Sequence, residues 1–233
     1  MPVSINEIEL KQIQDYIKQK FAKDGTGHDW EHIYRVVRVS LDIQKVEGGD
    51  KKLVEAIALL HDLGDWKFND ESQASILEKF LNSLNFNDDL IQFLVKQSSG
   101  ISYKGANVDT PILSIEGQIV QDADRLDAIG AMGIARCFAY GGSKNREIFN
   151  DKIDWVSHNT ADSYKNCENP SLHHFYEKLL LLKDMMNTNE GKRLANQRHQ
   201  YMVSYLEQFF IEWYGSKDNI PKQFKLDSYK VSL

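Results

Sequence analysis

Apolar residues recur at three- and four-residue intervals along most of this chain, and only four prolines interrupt its 233 residues. That spacing gathers apolar side chains on one face of an α-helix, whereas the alternation that marks strands is scarce. Proline removes a backbone donor and clashes with the preceding turn, so long proline-free stretches leave helices intact. The expected fold is therefore all-α.

Ile5, Ile8, Ile13, Ile17 and Phe21 mark one face of a first helix over 5–22, which Asp24-Gly25-Thr26-Gly27 ends. Asp29 is a good N-cap for a second helix that runs to Val46, before Gly48-Gly49. A third helix covers 51–62, with Gly64 as its C′ residue. Two more are expected over 71–84 and 87–98. The stretch 99–111 reads as irregular, with Gly100, Gly105 and Pro111 as breakers. One long helix is then expected from Leu113 to Tyr140, stopped by Gly141-Gly142, followed by helices near 152–163, 171–186 and 190–213. No internal repeat or low-complexity linker is visible. The expectation is a single all-helical domain over 1–233, with a core at about 24–140 and a C-terminal helical extension at about 150–215.

Composition narrows the function. Hydrophobic residues make up 42% of the chain and charged residues 27%, which suits a globular protein. No run approaches the roughly 18 apolar residues of a membrane span, and the first ten residues lack the layout of a signal peptide. Cys137 and Cys167 are the only cysteines, without a CxxC, so no disulfide scaffold or zinc knuckle is expected and a cytoplasmic setting follows. The formal net charge of −6 argues against an extended nucleic-acid partner, which requires a basic surface. Small phosphorylated ligands stay compatible, because one metal ion and a few basic side chains can reverse the potential within a pocket. A homodimer is compatible with everything read so far.

The chemistry concentrates in three places. The apolar run Leu53-Val54-Glu55-Ala56-Ile57-Ala58-Leu59-Leu60 ends in His61-Asp62-Leu63-Gly64-Asp65. Imidazole and carboxylate are both good ligands for divalent transition metals, and here they stand at the edge of a core where an unpaired charge is costly. Upstream, Gly27-His28-Asp29-Trp30-Glu31-His32-Ile33-Tyr34-Arg35-Val36 places His32 on the same face as Val36, Val39 and Ile43. Downstream, Gln121-Asp122-Ala123-Asp124-Arg125-Leu126-Asp127 offers three aspartates. Asp124 and Asp127 share a face, while Asp122 lies about 200° from Asp124 around a helix and reads as a solvated or arginine-paired surface charge. The apolar stripe of this helix runs through Ile119, Ala123, Leu126, Gly130 and Ile134. Asp127 lies nearer its centre than Asp124, so periodicity nominates Asp127 as the buried carboxylate.

The ordered pattern, His-Asp-x-x-His-x-x-Arg-Val, then Ala-x-Ala-Leu-Leu-His-Asp-Leu-Gly-Asp, then Asp-Ala-Asp-Arg-Leu-Asp-Ala, resembles the HD superfamily of metal-dependent phosphohydrolases. The motifs span residues 28–128. The stretches His174-Phe175-Tyr176-Glu177-Lys178-Leu179 and Lys183-Asp184-Met185-Met186-Asn187-Thr188 resemble a subgroup of small bacterial HD proteins that includes nucleotide pyrophosphohydrolases. The resemblance implies an HD-type helical bundle with additional C-terminal helices. It also implies one divalent ion (Mn, Fe, Co, Ni, Zn or Mg) held by His32, His61, Asp62 and Asp124. In the family motif the ligand is the aspartate before the arginine. Asp127 then becomes a pocket residue.

The implied activity is hydrolysis of a nucleotide or similar small phosphorylated molecule, foremost a nucleoside triphosphate to monophosphate and pyrophosphate. Alternatives are a 5′-nucleotidase, a phosphodiesterase, a di-iron oxygenase or a noncatalytic nucleotide sensor. A second metal would need further histidines, and His158, His173, His174 and His199 sit in no motif of that kind; His173-His174 reads as capping and packing. Asp65 resembles the acidic residue that follows the HD dipeptide in stringent-response nucleotide hydrolases. It is a candidate to orient the attacking water, against a reading as a loop carboxylate paired with Lys67. His28 could face a phosphate or donate to a leaving oxygen, or lie in a surface loop. Lys67, Lys96, Lys104, Arg125, Lys183, Arg193 and Arg198 are candidate phosphate contacts without a fingerprint. Lys104 stands out because the surrounding backbone could close over a ligand.

Overall fold

A computed structural model describes residues 3–22, 29–64, 71–102, 113–155 and 169–229. The fold is all-α, and no strand occurs among the described residues. Chain contacts fall into two compact units. The first comprises Met1–Asp124, His158–Cys167 and Asn187–Gly191, the second Arg125–Ser157, Glu168–Met186 and Lys192–Leu233.

In the first unit, α1 (Glu7–Phe21) opens with a capping box, in which Asn6 accepts from the backbone of Ile8 and Glu9 while Glu9 reaches back to the Asn6 amide. α2 (Trp30–Glu47) is capped by Asp29, and α3 (Lys51–Leu60) by Asp50, which accepts from Lys52 and Leu53. α4 (Gln73–Ser83) and α5 (Asp88–Ser98) start after Ser72 and Asn87 in the same manner. α3 is the central element: it packs on α1, α2 and α5. Val54, Ala56, Ile57, Ala58 and Leu60 are completely buried. A helix apolar nearly all round can persist only inside a core, so its C-terminal end delivers the next residues to the interior. The chain turns there through His61–Gly64, where Gly64 takes φ 77°. A Cβ at Gly64 would press on the side chain of Ile76, so both backbone and space demand glycine.

The long helix expected over 113–140 is two helices: α6 (Ile115–Asp127) and α7 (Gly130–Ser143). The apolar period runs straight through the break, but Gly130 adopts φ 75°, a left-handed conformation that ends one helix and starts another. The expected helix over 171–186 is a short α8 (His173–Glu177) followed by a 3-10 segment, Leu179–Met185. Of the expected helix over 152–163, residues 152–155 form turn and irregular backbone, and the rest lies outside the described residues. α9 (Asn189–Tyr214) agrees with its expected span.

The second unit is built around aromatic rings. Phe149 meets Phe209, Phe210, Trp213 and Phe224 edge-on, at centroid separations of 5.0–5.8 Å. The hydroxyl of Tyr176 donates to the carbonyl of Phe224, tying the C-terminal segment to α8. The Cys137 thiol bonds to the Ser171 carbonyl at 3.2 Å, and burial pushes its pKa up to about 12. A thiol so far from thiolate is a packing group.

Candidate metal centre

Three helices of the first unit converge on one point. Asp29 accepts from the amide of His32, which places that residue in the first turn of α2. Of the residues that share its face, Val36 and Ile43 are fully buried and Val39 is half-buried, and His32 follows them inward at 1% exposure. α3 ends one residue before His61, itself 1% exposed, and Asp62 follows at 6%. α6 supplies Asp124, the most open of the four with 24% of its side chain exposed.

The polar atoms of these residues face one another. The two Nε2 atoms of His32 and His61 are 3.2 Å apart. Asp62 offers both oxygens, Oδ2 at 3.3 Å from His32 Nε2 and Oδ1 at 3.4 Å from His61 Nε2. Asp124 Oδ1 lies 3.5 Å from His32 Nε2 and 3.8 Å from His61 Nε2. His61 Nδ1 is 2.7 Å from the carbonyl oxygen of Ala58. A carbonyl only accepts, so Nδ1 carries the proton and the lone pair of Nε2 points into the cluster. This is the outer hydrogen bond that fixes tautomer and ring orientation in a histidine ligand.

These separations fit a shared cation. Ligands about 2.1 Å from an ion stand roughly 3.0 Å apart in an octahedron and about 3.4 Å apart in a tetrahedron. His32, His61 and Asp124 can each place a ligand atom on a common ion, and Asp62 approaches the two imidazoles with a different oxygen for each.

Other residues named from the sequence stand differently. Asp122 is not a surface charge: it is completely buried. Its Oδ1 accepts from the backbone and side-chain amides of Asn187, and its Oδ2 from the amide and hydroxyl of Thr188, all at 2.7–2.8 Å. The partners lie 65 and 66 positions downstream, so no local pattern could disclose them. Asp127 is buried in the second unit, where Arg136 holds its carboxylate at 2.6 Å. Arg125 donates to the Met185 carbonyl, Arg198 to the Leu126 carbonyl, and Lys183 pairs with Asp184. Lys96 is exposed on the last turn of α5. His28, Asp65, Lys67 and Lys104 lie outside the described residues. His173 packs edge-on against Phe149, in the second unit. Sequence reasoning missed Gln73, a buried residue at the start of α4 whose side-chain amide donates to the main-chain carbonyl of His61.

The HD domain family model matches residues 29–129. The YpgQ protein of Bacillus subtilis is 36% identical over 205 residues, covering 86% of this chain and 91% of its own length. A crystal structure of YpgQ in complex with ADP superposes with a TM-score of 0.68 at 33% identity, over 94% of this chain and 98% of that one. A protein of Lactobacillus plantarum matches with a TM-score of 0.83 at 38% identity, over 91% of this chain and all of that one. An HD-superfamily hydrolase of Bacillus thuringiensis matches with a TM-score of 0.69, also at 38% identity, over 89% and 97% of the two chains.

Proposed function

The chain belongs to the HD superfamily of metal-dependent phosphohydrolases, and we propose that within it the protein hydrolyses nucleoside triphosphates to monophosphate and pyrophosphate, using one divalent ion held by His32, His61, Asp62 and Asp124. The observation that carries the ligand assignment is the convergence of two imidazole nitrogens and two carboxylates within 3.2–3.8 Å. The nucleotide reading draws support from YpgQ, a relative that has been crystallised with ADP, and from the C-terminal motifs.

When bound, a divalent ion polarises a phosphoryl oxygen and lowers the pKa of water. The chain does the rest. Ala58 holds the proton of His61 on Nδ1, so that Nε2 stays a ligand. Asp124, the most open ligand, borders the side from which a substrate enters. Asp65 takes the proton of the attacking water as oxygen adds to the α-phosphorus. The bond to the β-phosphoryl group breaks, and pyrophosphate leaves with a proton donated by His28. Lys104 contacts a substrate phosphate.

The test is product analysis over a panel of nucleoside triphosphates with Mn²⁺, Co²⁺, Ni²⁺ and Mg²⁺. Pyrophosphate with one metal per chain supports the proposal. Orthophosphate released from monophosphates indicates a 5′-nucleotidase, and turnover of cyclic or diester substrates a phosphodiesterase. Two irons per chain indicate the oxygenase class, and nucleotide binding without turnover a sensor.

A further inference from the structure

We infer that Asp122 is a positioning residue for the metal centre: its buried carboxylate sets the rotation of α6 about its own axis and thereby aims Asp124. The inference rests on the ligand assignment made above. Asp122 and Asp124 are two residues apart on α6, about 200° around the helix, so they occupy opposite flanks. On one flank Asp124 reaches the histidines. On the other, Asp122 accepts four hydrogen bonds from Asn187 and Thr188. The adjoining Gln121 extends the anchorage: its amide donates to the Gly100 carbonyl at 2.9 Å, and its oxygen accepts from Asn187 Nδ2 at 3.0 Å.

The strength of this anchorage matches what a ligand demands. A carboxylate oxygen on a helix stands roughly 5–6 Å from the axis, so a turn of about 10° displaces it by ~1 Å. Metal–ligand distances tolerate about 0.2 Å. Hydrophobic packing alone, through residues such as Ile119 and Ala123, resists rotation weakly because one apolar contact replaces another. Directional bonds to a buried charge do not slip in this way. Residues 187–191 are shaped to receive the carboxylate. Gly191 follows Thr188 at the start of α9, and a Cβ there would overlap Asp122 Oδ2. Thr188 Oγ1 also accepts from the Gly191 amide at 3.0 Å. At this helix start, orphan backbone donors and the positive end of the helix dipole compensate the buried charge.

The experiment uses the full-length protein and Mn²⁺ as probe, with affinity read by calorimetry and ligand symmetry by the electron paramagnetic resonance of the bound ion. Thr188→Val deletes one donor to Asp122 and Gly191→Ala crowds the carboxylate, yet neither touches a metal ligand. Each is expected to weaken Mn²⁺ binding by at least about tenfold, the scale for outer support of a ligand, and to broaden the resonance. Thr188→Ser restores the hydroxyl and with it the affinity. Circular dichroism verifies that each variant is folded. Folded Thr188→Val and Gly191→Ala variants with wild-type affinity and spectrum, alongside a His61→Ala variant that binds no Mn²⁺, overturn the role of Asp122 and leave the metal centre standing. A wild-type protein that binds no Mn²⁺ overturns both.

Discussion

The side-chain nitrogen of Gln73 lies 2.6 Å from the main-chain oxygen of His61. That oxygen belongs to the C-cap of α3, beyond the reach of the helix's own hydrogen bonds. Gln73 stands at the first position of α4, so its amide links the end of one helix to the start of the next across the turn that carries Asp62. Replacing Gln73 by leucine, of similar volume, leaves a buried carbonyl without a donor. The expected cost is about 1–3 kcal/mol, read as a lower urea midpoint of the metal-free protein with an unchanged slope. A midpoint equal to wild type would show that the carbonyl finds another partner.

His61→Ala removes a metal ligand without a substitute, and metal retention is expected to disappear. Elemental analysis of the purified variant checks this. Metal content equal to that of wild type would displace His61 from the centre.

Asp65→Asn preserves size and removes basicity. With Asp65 as the base for water, metal content stays near wild type while kcat falls by at least ~100-fold. With Asp65 as a partner of Lys67 on the surface, kcat stays within a few-fold. Steady-state kinetics on the metal-loaded variant distinguishes the two.

Acid sensitivity should follow from the second unit. His173 and His199 are completely buried, and burial holds both below the ordinary histidine value. Glu177 and Asp154 oppose the shift at His173; at His199 the bond to the Tyr229 carbonyl and Asp184 oppose it, while Lys183 adds to it. The unfolded chain therefore takes up protons first as the pH falls. Stability from these groups is full above about pH 6.5, the unfolded value, and declines below it until the depressed folded values are passed. Each histidine contributes a slope of up to about 1.4 kcal/mol per pH unit in that window. His173→Phe, which keeps a ring beside Phe149 and Phe224, should flatten the decline between pH 6.5 and 5 in chemical denaturation. An unchanged slope would assign the acid sensitivity to other groups.

The helical class was legible because burial writes a period into the sequence, and the Asp29 cap is a local feature. The inward aim of His32 was legible on the same ground, from the valines and isoleucine that share its face. Three of the differences share a reason. The break between α6 and α7 depends on the φ of Gly130, whereas the apolar spacing runs on unchanged. Asp122 looked solvated because it stands about 200° from Asp124 around the helix, and its partners Asn187 and Thr188 are remote in sequence. Asp127 was drawn toward the interior by its place on the wheel; it is indeed buried, but Arg136, nine positions on, engages its carboxylate. Long-range polar pairing leaves no periodic trace, and each of these polar cases depended on it.

With the four proposed ligands, two neutral imidazoles and two carboxylates, the ligand set would carry two formal negative charges. A doubly charged ion cancels them. Sodium or potassium would leave a negative residue in a largely buried place, and a trivalent ion a positive one, each costly away from water. The centre thus sorts cations by valence before their size or preferred geometry enters. Once filled, it carries no net charge to draw in a polyphosphate from a distance, although the ion still attracts a phosphoryl oxygen that reaches it. Capture of such an anion, and its sensitivity to ionic strength, must then depend on lysines and arginines outside the ligand set.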